Sequence, residues 1–156
     1  MEPAECSYCN PQAEDIKKVF NFLSTEEIQE LCPYLELREW PADAVVMQEG
    51  EHEDYMGFVT EGRLAVKKKT GYWGKHIIIA ILDKGTMVGE GAFIDEGPRS
   101  TTIVAMEQTR ILTLAARKMD ELIMNKPMLA IKLMKRILQI ISVRLRKAGD
   151  RISELL

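Results

Sequence analysis

The chain has 156 residues, 46% of them hydrophobic and 29% charged, with a net charge of −3. A chain of this length buries about two-thirds of its unfolded surface, enough for one core and one domain, and its weakly acidic balance gathers no nucleic acid. No apolar run reaches the roughly 18–20 residues that cross a bilayer; the richest, Met128 to Val143, is interrupted by Lys132, Lys135 and Arg136.

The first ten residues show no periodicity and read as a flexible tail, with the folded domain expected over 11–156. No basic start leads into an apolar signal core, so a cytoplasmic protein is the expectation. Three cysteines without an export signal argue against a disulfide framework. Cys6 and Cys9 have a spacing that suits redox or metal chemistry, but Cys32 is the one other thiol, so no metal site is expected.

Ile16, Val19, Phe20 and Leu23 follow helical spacing, which predicts a helix over 12–23. Ser24 followed by Glu27 is a capping-box pair and opens a second helix that Pro33 should stop. From residue 35 to 115 the pattern changes to short β-rich runs punctuated by glycines. Turn signals at that spacing point to a jelly roll or sandwich, with strands over 35–39, 44–48, 55–60, 63–69, 75–82, 101–106 and 110–115. Thr70 to Gly74 reads as a hairpin tip, and Lys67, Lys68 and Lys69 as a solvated, aggregation-resisting edge.

Helical pattern returns over 116–125, and Pro127 opens a helix that can run to Leu156. In it Ala130, Met134, Ile137, Ile141, Leu145, Ala148, Ile152 and Leu155 form a coiled-coil-like seam, beside a second stripe of Leu129, Leu133, Ile140 and Val143. Two apolar faces need two partners, the chain's own barrel and the same helix of a second subunit, so a parallel homodimer is expected. The fold class is therefore α+β, mainly β: a jelly roll over about 35–115 with helices before and after it.

The lone helical segment expected inside the β region carries the chemistry. Glu90 and Arg99 flank a glycine-bent turn that ends at Gly97 and Pro98. A helical turn opening at Gly91 or Ala92 aims free backbone amides between the two side chains, and free amides at a helix start attract anions. Arg99 adds a planar fork that suits two phosphate oxygens. Glu90 only accepts hydrogen bonds, so beside an anion it calls for a hydroxyl or amine. A cyclic phosphate carried on a ribose supplies both.

This stretch, from Val88 through Gly89-Glu90-Gly91-Ala92 to Pro98-Arg99-Ser100-Thr101-Thr102-Ile103, resembles the phosphate-binding cassette of the cyclic nucleotide-binding domains. Upstream, Gly50-Glu51, Asp54-Tyr55, Glu61-Gly62 and Leu64-Ala65-Val66 resemble that family's early strands, so the resemblance covers about residues 15–156. It implies a cyclic nucleotide as ligand, cyclic AMP in preference to cyclic GMP because no other side chain obviously reads guanine. It implies that Arg99, Ser100 and Thr101 lie at the phosphate with the amides of Gly91 and Ala92. Glu90 would meet the ribose 2′-hydroxyl, and Gly89 would make the turn. Val66 and Ile79 would line the purine, with Arg144 of the last helix near the base. Gly91 and Val88 depart from the larger aliphatic and the aromatic residue usual at their positions.

The expected output is a regulatory switch acting on an unidentified downstream protein. Two other readings are the sensor half of a catabolite-activator-type regulator, whose DNA-reading helices would have to follow Leu156, and a member that has lost its ligand. An enzyme is not expected. A metal-dependent jelly-roll enzyme needs clustered histidines, and His52 and His76 are far apart in sequence; no nucleophile with a base is apparent.

Overall fold

In the computed structural model, which describes residues 7–156, helices precede and follow an eight-stranded β-roll. Helices α1 (Glu14–Val19) and α2 (Thr25–Leu31) lead through a 3-10 turn (Cys32–Tyr34) into β1 (Glu36–Trp40). Strands β2 (Val45–Met47), β3 (Tyr55–Glu61), β4 (Arg63–Lys69), β5 (His76–Asp83) and β6 (Met87–Val88) follow. A short helix α3 (Glu90–Asp95), β7 (Thr102–Ala105) and β8 (Thr109–Ala115) complete the roll, and α4 (Ala116–Asn125) and α5 (Pro127–Glu154) close the chain. Two antiparallel sheets result, in the orders β1-β8-β3-β6 and β2-β7-β4-β5.

Strand alternation assigns the core to two layers. On β3, Tyr55 and Val59 point between the sheets, where they meet Val46, Leu64, Ile103 and Ile111. Met56 and Phe58, one position out of phase, face the helices and pack with Leu112 and Leu114 of β8. Both faces of β3 are thus covered, which is why Tyr55 to Val59 runs buried and uncharged instead of alternating. Phe58 meets Phe20 with ring centroids 4.9 Å apart, joining the N-terminal helices to the roll.

Several boundaries move from the sequence expectation. The first helix keeps six residues, because Phe20 to Leu23 turn away to reach Ser24. Ser24 makes the expected capping box: its hydroxyl accepts from the Glu27 amide at 3.1 Å while Glu27 accepts from the Ser24 amide at 3.0 Å. α2 ends at Leu31, ahead of Pro33 as expected, and Pro33 sits in the first turn of the 3-10 segment that follows. β6, two residues between Gly85 and Gly89, was not foreseen. β4 lies between β7 and β5, so the three lysines are not on a sheet edge; β5 is the edge. Cys9, expected on a flexible tail, is buried, and the Cys32 thiol donates to its carbonyl at 3.7 Å. The Cys32 contact holds the Cys9 thiol below its ordinary value. Cys6 lies outside the described residues.

The 28-residue α5 spans about 42 Å and has three distinct faces. Leu129, Ala130, Leu133 and Ile137 are buried in the chain's own core. Arg144, Lys147, Ala148 and Arg151 lie against a cavity in the roll. Ile131, Leu138, Leu145 and Ile152 stand exposed at seven-residue intervals. Ala130 and Ile137 therefore leave the seam expected from sequence, and Ala148 turns to the cavity. The exposed row is one position out of phase with Ala130 and Ile137 and keeps a strict heptad, the period of a left-handed two-stranded coil.

Candidate functional site

A left-handed residue starts the site. Gly89 follows β6 with φ +75° and caps α3, a conformation that costs an L side chain about 1–2 kcal/mol. A Cβ there would also lie 2.6 Å from Arg99 Nη1 and 2.7 Å from the Met47 methyl. Gly89→Ala is therefore expected to lower stability by about 1–2 kcal/mol from the backbone alone, more if Arg99 cannot shift, as urea denaturation would read. The bend makes Glu90 the first residue of α3, one position earlier than the sequence reading placed the helix start. The first-turn amides of α3 have no partner within the helix. A Cβ on Gly91 would meet nothing within 4 Å, so the missing aliphatic side chain leaves open space there.

Arg99 returns to the same place from the other end of the cassette. Its side chain is 3% exposed, with Nη1 donating to the Gly89 carbonyl at 3.0 Å and Nη2 to the Tyr55 carbonyl at 2.5 Å. The guanidinium lies over the Tyr55 ring at 4.9 Å, and the Glu53 carboxylate is 3.9 Å away. Tyr55 is pushed up to about 12, by burial first and the Glu53 charge second, so it stays a neutral donor, here to the Val46 carbonyl at 3.1 Å. Arg99 Nε is buried and has no hydrogen-bond partner. An unsatisfied donor of a charged group is costly in a dry site, typically 1–3 kcal/mol or more. A ligand acceptor would remove that cost.

Glu90 is also buried, and its Oε1 accepts from Arg144 Nη1. Arg144 Nη2 reaches the Met87 carbonyl at 2.7 Å, so one guanidinium ties α5 to both ends of the glycine bend. Burial pushes Arg144 below its ordinary value. A carboxylate has about four acceptor positions, so Glu90 keeps capacity for a further donor. Outside the cassette, Lys68 Nζ bridges Glu49 and the Ser100 carbonyl, both at 2.6 Å. That contact, with Lys68 holding the Glu49 carboxyl below its ordinary value, gives a β4 lysine a positioning job that its sequence did not reveal.

These groups surround a cavity of about 520 Å³ between the cassette, β4, β5 and α5. Gly89, Glu90, Gly91, Ala92, Arg99, Ser100 and Thr101 form its cassette wall. Val66 and Ile79 form part of the strand wall, and Arg144 stands on the helix side. All ten residues singled out from sequence thus meet at one place. Sequence reasoning missed Lys147 and Arg151, which complete the helix side. Four cationic side chains line the cavity against one carboxylate, a balance that suits an anion. Among the described residues no group of three His, Cys, Asp or Glu could hold a metal ion, and no helix is long and apolar enough to cross a membrane.

Comparison with known proteins places this geometry. Residues 37–126 match the family described as the cyclic nucleotide-binding domain. A cyclic AMP receptor protein of Thermus thermophilus is 29% identical over 112 residues, 72% of this chain and 51% of that protein. A cyclic nucleotide-gated potassium channel of Rhizobium etli is 32% identical over 112 residues, 72% of this chain and 30% of the channel. Among solved structures, a cyclic nucleotide-binding domain from Methylobacillus flagellatus has a TM-score of 0.85 at 31% identity, covering 97% of this chain and 85% of that one. The catabolite activator protein of Thermus thermophilus has a TM-score of 0.75 at 28% identity, covering 88% and 62%. The chain spans about half the length of the cyclic AMP receptor protein.

Proposed function

The chain belongs to the cyclic nucleotide-binding domain family, a regulatory and not a catalytic fold, and on that premise we propose that its cavity takes a 3′,5′-cyclic purine nucleotide and reports it as a sensor. The observation that carries this reading is Arg99, buried on the cavity wall with an unpartnered Nε, beside an equally buried Glu90. The cyclic phosphate accepts from Arg99, the α3 amides and the Ser100 and Thr101 hydroxyls; the ribose 2′-hydroxyl donates to Glu90. Cyclisation holds phosphate and 2′-hydroxyl on one rigid frame, so a single small ligand meets both without an ordering cost. Cyclic AMP and cyclic GMP share all of these groups, and both fall within the class.

The output is a change in α5. Arg144 joins that helix to Glu90 and to the Met87 carbonyl, so a ligand that draws on Glu90 acts directly on the helix anchor. The nucleotide shifts the helix only as far as it binds one arrangement better than the other. The exposed heptad row of α5 supports a parallel homodimer as the assembly in which that shift is felt; a downstream protein then reads the dimer. No step of this cycle requires the chain to be an enzyme, and a cytoplasmic setting, where cyclic nucleotides are made, fits it.

Calorimetric titration of the full chain tests the reading. Cyclic AMP or cyclic GMP is expected to bind, and the 2′-deoxy analogue of the tighter one about 10- to 100-fold more weakly, the worth of a hydrogen bond to a charged acceptor. Equal affinity for the deoxy analogue removes Glu90 from the ribose; no binding of either nucleotide sinks the proposal.

A further inference from the structure

The hairpin joining β4 to β5 carries the two most exposed large hydrophobic side chains of the roll, Tyr72 at 81% and Trp73 at 94%. Every residue from Gly71 to Ile79 is exposed, so Ile77 and Ile78 extend the apolar surface from the tip along β5. The turn itself does not ask for aromatic residues. Thr70 closes it, its amide donating to the Lys75 carbonyl at 2.7 Å and its hydroxyl donating to the same oxygen at 3.0 Å. Trp73 takes a φ of +58°, a left-handed conformation that suits glycine or asparagine and disfavours a bulky side chain.

Charge around this tip has one sign. From Leu64 to Leu82 there is no aspartate or glutamate, against Lys67, Lys68, Lys69 and Lys75, in a chain whose net charge is −3. Glu49 reaches in from outside and holds Lys68 at 2.6 Å and the Lys69 amide at 3.1 Å. Among the described residues the ammonium groups of Lys67, Lys69 and Lys75 pair with no carboxylate. Lys69 lies alongside the turn, its Cε 3.9 Å from where a Cβ on Gly74 would stand. Two aromatic rings thus project beyond a collar of three uncompensated cations.

The pattern selects its partner. Ile77 and Ile78 are consecutive on β5 and so face opposite sides of the sheet. A rigid partner pressed on one side covers one of them; a fluid layer around the tip covers both. A second copy of the hairpin would set lysines against lysines. The surface of an anionic bilayer meets every feature, because its headgroups attract the lysines and its interfacial layer takes amphipathic tyrosine and tryptophan rings. We propose that the β4–β5 hairpin docks on an anionic phospholipid bilayer, with Tyr72 and Trp73 entering the headgroup layer and Lys67, Lys69 and Lys75 meeting its charge. Such binding is peripheral and strengthens with both apolar burial and charge attraction. Residues 67 to 78 line no part of the cavity, so this surface goes beyond the sensor reading and does not depend on it.

The test is cosedimentation of the full chain with vesicles of phosphatidylcholine alone and of equimolar phosphatidylcholine and phosphatidylserine. Wild type is expected to sediment with the mixed vesicles and far less with phosphatidylcholine. Each basic residue near an anionic surface raises partition about five-fold, so the triple variant Lys67→Gln, Lys69→Gln, Lys75→Gln should bind about 100-fold more weakly. The tip variant Tyr72→Ser, Trp73→Asn keeps every charge and should still bind at least about 10-fold more weakly. None of the five side chains is buried, so both variants should keep the wild-type melting temperature. In Trp40→Phe, which leaves Trp73 as the one tryptophan, emission should move to shorter wavelength on mixed vesicles. A wild type that stays in the supernatant, or a tip variant that sediments as wild type does, overturns the proposal. So does a wild type that a single-stranded polynucleotide draws off the vesicles at equal charge concentration, which would make the hairpin a nucleic-acid surface.

Discussion

Arg99→Ala should weaken cyclic nucleotide binding by about 2–5 kcal/mol, on the order of 30- to 5,000-fold in Kd, because it removes the charge-assisted partner of a phosphate inside a closed wall. The side chain does two jobs, and the experiment must separate them. Nη1 and Nη2 are already engaged with the Gly89 and Tyr55 carbonyls, which join the glycine bend to β3. Truncation therefore also takes a donor from both carbonyls, although the Gly89 carbonyl keeps the Phe93 amide at 3.3 Å, and should lower protomer stability by about 1–3 kcal/mol. Arg99→Lys keeps the charge but not the fork, so it cannot hold both carbonyls and offer a donor to the ligand. It should recover part of the affinity while leaving stability reduced. Titration calorimetry and urea denaturation on the two variants measure both effects. Equal nucleotide affinity in wild type and Arg99→Ala, with stability lost, would make Arg99 a brace and nothing more.

The same double duty explains what could be read from sequence. Glycine at 89 and the pair Glu90 and Arg99 are legible because each residue type is demanded by local chemistry: a positive φ, an acceptor, a fork. The strands are legible where one face or both are buried, as in β3 and β8. What could not be read depends on which neighbour a face meets. β6 is two residues long, too short for any alternation to register. Lys68 looks solvated in sequence, and only the sheet order, which puts β4 inside, brings it to Glu49 and the Ser100 carbonyl. Lys147 and Arg151 look like an ordinary wetted helix face for the same reason. Ala130 and Ile137 satisfy an apolar repeat equally well whether that repeat faces the chain's own core or a partner. An ideal helix drifts about 20° per heptad, so a mixed 3.5 and 3.6 pattern cannot assign the faces by itself.

Adjacent residues on α5 are expected to give opposite results for that reason. Ile137 is fully buried in the chain's own core, so Ile137→Ala should cost about 2–5 kcal/mol of protomer stability. Leu138, its neighbour, is 58% exposed, and Leu145, one heptad on, is 72% exposed. Replacing both with Asp should change protomer stability little, since neither side chain has a core to leave. In a parallel dimer each substitution occurs twice at the seam. It removes about 1.5–3 kcal/mol of apolar burial per leucine and brings like charges face to face in a dry contact. Half of the four-residue row is lost in each protomer and replaced by like charges, so the double variant should sediment as a monomer at concentrations where wild type is a dimer. A double variant that remains dimeric would place the assembly surface elsewhere, and a wild type that sediments as a monomer would remove the coil from the signalling cycle. If the dimer dissociates while nucleotide affinity is unchanged, the cavity is complete within one protomer, and α5 transmits occupancy without being needed for capture.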